Sequence, residues 1–131
     1  MVETEFIETT SALLELRSDY LYIAFKEDAV VELEHVIENK KARERIQRGK
    51  KMLVLGDIRK VWSVTKEAQD YLSSKEVTDL NIAMAILTKS LTTVLLANFF
   101  ITFNKPAVPT KLFKNEEKAI KWLRSFKNDN L

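Results

Sequence analysis

Hydrophobic residues along this chain recur with two different periods, and the exchange between them repeats. Phe6 to Leu16 and Tyr20 to Phe25 are rich in Leu, Ile, Tyr and Phe, and between them stands Arg17-Ser18-Asp19, whose polar side chains suit a turn. Two strands are predicted. In the second, Tyr20, Tyr22 and Ala24 alternate with Leu21, Ile23 and Phe25, so neither face is polar and both should be covered. From Asp28, a residue type favoured at helix starts, Val30, Leu33, Val36 and Ile37 recur at helical spacing until Gly49, a natural stop. This predicts a long amphipathic helix. Met52-Leu53-Val54-Leu55 follows without alternation, the pattern of a strand buried on both faces, and the intervening helix is long enough to be a crossover. A parallel sheet is implied.

The same alternation continues to the end. Thr65 or Ser63 caps a helix with Ala68, Tyr71 and Leu72 on one stripe, and Ile82 to Leu87 is another apolar strand. Ser90 caps a third helix running to Phe103, apolar around most of its circumference and therefore expected to be substantially buried; Asn104-Lys105-Pro106 ends it. Pro109 to Phe113 reads as a short edge strand, because proline cannot donate to a ladder. Asn115 caps a last helix with Glu116 and Glu117 in its first turn and Ala119, Ile120, Leu123 and Phe126 on one stripe, and Asn128 to Leu131 are expected to fray. The order is strand, strand, helix, then strand and helix three times. The predicted class is α/β, with residues 1–131 as one domain: a mixed, mostly parallel sheet of about five strands with about four helices.

Composition narrows the classes of function. The 131 residues are 46% hydrophobic and 31% charged, enough apolar surface to offset the entropy of ordering one core. Cysteine is absent, which removes a disulfide framework, a thiol nucleophile and thiolate metal ligands, and fits a reducing, cytoplasmic location. Met1 to Glu5 lacks the basic flank and apolar run of a secretory signal. The most apolar stretch, Leu91 to Phe103, is broken by Thr92, Thr93, Asn98 and Thr102 and falls short of the ~20 residues that span a bilayer.

The net charge of +2 is unevenly spread: residues 1–39 hold ten acidic and two basic side chains, whereas 40–60 hold nine basic and two acidic. Lys40, Lys41, Arg43, Arg45, Arg48, Lys50 and Lys51 fall where the first long helix ends, where cations complement the dipole and cover a solvated face. Without interleaved aromatics or a reader motif, nucleic acid is not the expected partner.

No glycine-rich phosphate loop, paired-histidine metal motif or nucleophile elbow is present, and the single histidine, His35, stands among Glu32, Glu34 and Glu38 on a helix. No cofactor or metal is expected, and no catalytic residue is assigned, although Asp57 and Glu67 are the carboxylates closest to an acid/base pair. Ligands of open α/β sheets bind outside the carboxyl ends of the strands, where helix starts also attract anions. Asp57, Arg59, Lys60, Trp62, Ser63, Thr65 and Glu67, after one buried strand, and Thr88, Lys89 and Ser90, after the next, form the expected binding edge. Plain helix capping explains Ser63, Thr65 and Ser90 equally well.

The segment Gly56-Asp57-Ile58-Arg59 through Glu67-Ala68-Gln69-Asp70-Tyr71-Leu72, with Asn104-Lys105-Pro106-Ala107-Val108-Pro109-Thr110-Lys111-Leu112-Phe113, resembles a group of small uncharacterised bacterial STAS-like proteins. The element order is similar over nearly the whole chain to the STAS domain of bacterial anti-sigma-factor antagonists and of sulfate-transporter tails. That resemblance implies a non-catalytic regulatory module with a protein partner, and in the family an Asp-Ser-Ser-Gly-Leu pattern carries a phosphorylatable serine. Here Thr65-Lys66-Glu67 stands where Asp-Ser-Ser should, so the usual phosphoacceptor is missing. Phosphate on Thr65 or Ser63, or a permanent negative charge from Glu67, are the alternatives. A rival reading is a carrier of a small apolar or lipid-like ligand, suggested by the apolar helix Leu91 to Phe103 with Trp62 nearby and by the similar fold of CRAL-TRIO lipid-binding domains. Pairing of an edge strand or helix face with a copy of itself would give a homodimer.

Overall fold

The structure, a computed structural model, describes residues 5–127, so Asn128 to Leu131 lie outside it. The chain runs β1 (Phe6–Glu8), β2 (Ala12–Leu16), β3 (Leu21–Phe25), β4 (Val30–Val31), α1 (Leu33–Gln47), β5 (Met52–Asp57), β6 (Ser63–Val64), α2 (Lys66–Leu72), α3 (Lys75–Thr78), β7 (Asn81–Leu87), α4 (Leu91–Phe99), a π-helical turn (Phe100–Asn104), β8 (Thr110–Phe113) and α5 (Glu116–Arg124). Six strands form one sheet in the order β1-β2-β3-β5-β7-β8. The first three are antiparallel, and β3, β5, β7 and β8 run parallel. The expected mixed, mostly parallel α/β architecture is present, with the Pro109 to Phe113 segment at an edge as expected.

The extra strand arises because Phe6 to Leu16 is a hairpin. Thr9, Thr10 and Ser11 turn the chain: the Thr9 N–H donates to the Ala12 carbonyl at 2.9 Å and its hydroxyl donates to Asn39 Oδ1 at 2.5 Å. Asn39 Nδ2 donates to Ser11 Oγ at 3.1 Å, so α1 holds the turn in place.

Parallel strands added successively in one direction, each by a crossover of the same hand, put all their crossover helices on one face. Accordingly α1, α2 and α4 share a face, and the other would be bare without α5. Strand alternation serves both sides. Leu53 and Leu55 of β5 pack with Ala83, Ala85 and Leu87 of β7 against Ala119 and Leu123 of α5, whereas Val54 packs with Leu14, Leu21 and Ile23 beneath Ala42 and Ile46 of α1.

The start of α1 and the burial of α4 differ from the sequence expectation. Helix α1 starts at Leu33 behind Glu32, whose N–H donates to His35 Nδ1 at 3.0 Å; Asp28 instead adopts φ 57° and donates its N–H to the Lys60 carbonyl. Val30 and Val31, assigned to the helix, pair in parallel with Ser63 and Val64, a use to which β-branched residues are suited. Ser63 therefore lies in a strand, and Thr65 caps α2, accepting the Ala68 N–H at 3.2 Å. The second correction is larger. Helix α4 is not buried all round: Leu91, Leu95, Phe99 and Phe103 form an i, i+4 stripe facing solvent, each more than half exposed, while Thr93, Ala97 and Phe100 face the core. An apolar circumference does not say which side has a neighbour.

Candidate functional site

At the carboxyl end of β5 the chain builds a compact polar knot. Asp57, 7% exposed, accepts from the Tyr22 hydroxyl at 2.6 Å, from Arg59 Nη2 at 2.7 Å, from Arg59 Nε at 3.0 Å and from the Arg59 backbone N–H at 3.1 Å. Burial pushes the Asp57 carboxyl up, but the bonds from Arg59 and Tyr22 outweigh it and hold the group below the usual carboxylate range. Burial and the bond to Asp57 push the Tyr22 phenol up to about 12. Arg59 also approaches Glu116, at the start of α5, at 3.9 Å. A carboxylate saturated by an arginine and a tyrosine is a clamp closing the strand end onto the α5 side.

The expected edge divides between the two faces of the sheet. Asp57, in phase with Leu53 and Leu55, points to the α5 side; Glu67 is exposed in the first turn of α2, with no contact joining it to Asp57. After β7, Thr88 is buried, and its N–H and hydroxyl both donate to the Phe113 carbonyl, at 2.8 and 3.2 Å. Ser90 caps α4 reciprocally with Thr93, and the Lys89 N–H joins at Thr93 Oγ1, 3.0 Å away. In the second loop Lys89 and Ser90 are both exposed, Ser90 with its hydroxyl engaged in the cap and Lys89 with its side chain outward.

Between these lies the segment that is both exposed and fixed. Trp62 is 68% exposed, yet its N–H donates to the Ala29 carbonyl at 2.9 Å and it leads directly into β6. Lys60, mostly exposed, reaches Glu27 at 3.9 Å. Val30 and Leu33 are also exposed, Val30 being paired in register with Ser63.

Sequence reasoning missed what lies beneath α1. A cavity of about 90 Å³ opens between the sheet and α1, α2 and α4, walled by Ile23, Phe25, Val36, Met84, Ile86 and Phe100 among others. Gly56 lines it, and a Cβ there would stand 2.9 Å from Met84 Cε, so glycine lets that methionine lie against the strand. Its polar lining is Asn39, Lys40, Arg43, Gln69 and Asn81. Arg43 was expected on a solvated face; it is 5% exposed, and burial pushes its guanidinium down to about 10. Nε donates to Gln47 Oε1 at 2.9 Å and Nη2 to Asn81 Oδ1. Val36, Asn39, Arg43 and Ile46 recur at the spacing of an inward stripe, the signal that could have found it. Of the other basic residues of this stretch, Lys40 lies near Glu44 and Glu76, and Arg48 near Glu5.

The fold is that of the SpoIIAA-like, or STAS-like, α/β modules. An uncharacterised protein of the DUF3478 family from Shewanella loihica PV-4, solved as a crystal structure and described as having a SpoIIAA-like fold, matches with a TM-score of 0.61 over 92% of each chain at 14% identity. The family model of a domain of unknown function, DUF7793, matches residues 14–127, and the chain belongs to that family. No curated protein matches it. Among the described residues, no helix is long and apolar enough to cross a membrane.

Proposed function

We propose that this chain is a non-catalytic regulatory module that docks a protein partner at the strand-end loop, with Trp62 as its anchor. The observation that carries this reading is a large aromatic side chain held outward on a pinned backbone. Tryptophan in that setting loses little entropy on contact and is the residue type most often dominant in interfaces. Lys60, Ser63, Glu67 and Lys89 supply the surrounding polar contacts; Asp57 with Arg59, Thr65, Thr88 and Ser90 hold the loops. The exposed α4 stripe is a second face for a partner or a homodimer. Affinity capture from host lysate tests the reading: a protein retained by the wild type should be lost with Trp62→Ala, whose fold should stay within about 0.5 kcal/mol of wild type in urea unfolding. Identical capture by both would refute it.

The cavity beneath α1 favours a second reading, a site for a small apolar molecule. Pockets of this kind, apolar with a few converging polar groups, are the usual form of ligand sites. Native mass spectrometry of freshly purified protein should show a mass excess that denaturation removes.

A further inference from the structure

The polar lining of the cavity includes a buried charge. Arg43 carries five N–H donors, and two are taken, both by neutral amide oxygens. Among the described residues no carboxylate pairs with it. Lys40, also on the cavity wall, already faces Glu44 at 3.6 Å and Glu76 at 3.5 Å. The buried guanidinium thus has no carboxylate partner among the described residues and lines a mostly apolar cavity, a setting in which an anion would offset the cost of burying the charge. Separately, Gln69 donates from Nε2 to the Val64 carbonyl at 3.1 Å, while its buried Oε1 has no donor. Both residues line the same cavity.

We infer that the cavity binds a small organic acid with an apolar body, its carboxylate held by the free donors of Arg43 and its body lying against Phe25, Met84, Ile86 and Phe100. This rests on reading the cavity as a ligand site. Guanidinium and carboxylate match in charge and in the spacing of donors and acceptors. At about 90 Å³, against the roughly 10–15 Å³ that one water needs, the space suits a single ring or short branched chain better than a long acyl chain. The orphan Gln69 oxygen calls for a donor, so a hydroxylated acid fits better than a plain one.

Titration of the full-length protein with benzoate, 4-hydroxybenzoate and neutral benzyl alcohol, followed by calorimetry and by the Arg43 Nε–H resonance in NMR, tests this. Benzoate should bind at least tenfold more tightly than benzyl alcohol and shift the Arg43 resonance, with 4-hydroxybenzoate tighter again. Arg43→Met should abolish the preference for the acid while keeping benzyl alcohol. Equal binding of acid and alcohol by the wild type, or an unmoved Arg43 resonance, overturns the role of Arg43 and leaves the cavity a ligand site. No binding of any probe at millimolar concentration overturns both. Equal affinity for the two acids removes Gln69 from the site. The wild-type resonance decides the question even if Arg43→Met fails to fold.

Discussion

Replacing Asp57 with asparagine tests whether the polar knot at the end of β5 is a structural clamp. The substitution keeps shape and one acceptor oxygen but turns the other into a donor facing Arg59 or Tyr22, which are themselves donors. Four hydrogen bonds meet the carboxylate, three from Arg59 and one from the half-buried Tyr22. Bonds to a charged group contribute about 1.5–3 kcal/mol each when buried, and the partial exposure of Arg59 reduces its share, so a net loss of about 2–3 kcal/mol is expected. With an urea m value of roughly 2 kcal/mol/M, the midpoint should fall by about 1–1.5 M at unchanged m. The pH dependence has a definite sign. The folded carboxyl titrates below its unfolded value, so its contribution is complete above the ordinary carboxylate range and is lost as pH falls through the folded value. The gap between wild type and variant should therefore narrow below about pH 4. In the variant the Tyr22 phenol, held at about 12, should titrate lower, read from phenolate absorbance. Equal urea midpoints at neutral pH, or a gap that does not change with pH, would refute the clamp.

Thr65→Ala removes the side-chain acceptor of the Ala68 N–H and should cost about 1 kcal/mol, a fall of about 3–5 °C in thermal midpoint, whereas Thr65→Ser should restore most of it. Equal midpoints for all three proteins would show that the cap contributes nothing. Gly49→Ala, at φ 84° with open space around the position, should destabilise through backbone strain alone, by about 1 kcal/mol in urea unfolding, and no change would mean that the turn relaxes.

The sheet was legible because its central strands are coded twice, by apolar runs and by the helices between them. Met52 to Leu55 and Ile82 to Leu87 are apolar on both faces because α5 covers one side of both strands, while α1 covers the other side of β5 and α4 that of β7. The hairpin loop at Thr9 to Ser11 escaped notice because the run of strand-forming residues on either side masks three short polar ones. Val30 and Val31 fit the helical stripe by spacing alone, and only their partners Ser63 and Val64 make them a strand. The site was partly legible. Asp57 and Arg59 were read as neighbours on one edge, but their pairing, and the face each side chain takes, depend on register. Arg43 was hidden because a basic cluster at a helix end reads as solvent-facing, and its burial depends on the strand beneath.

The short pairing of β4 with β6 is a partition. On one side Val31, Val61 and Val64 wall the cavity; on the other Trp62 and Val30 meet solvent. It is stitched by the Trp62 and Ser63 N–H groups to the Ala29 carbonyl and by the Thr65 N–H to that of Val31, and α1, which carries Arg43, begins two residues after it. A molecule settling inside and a protein settling outside would press on one sheet of backbone from opposite sides. Whatever factor the first imposes on the second, the second returns to the first.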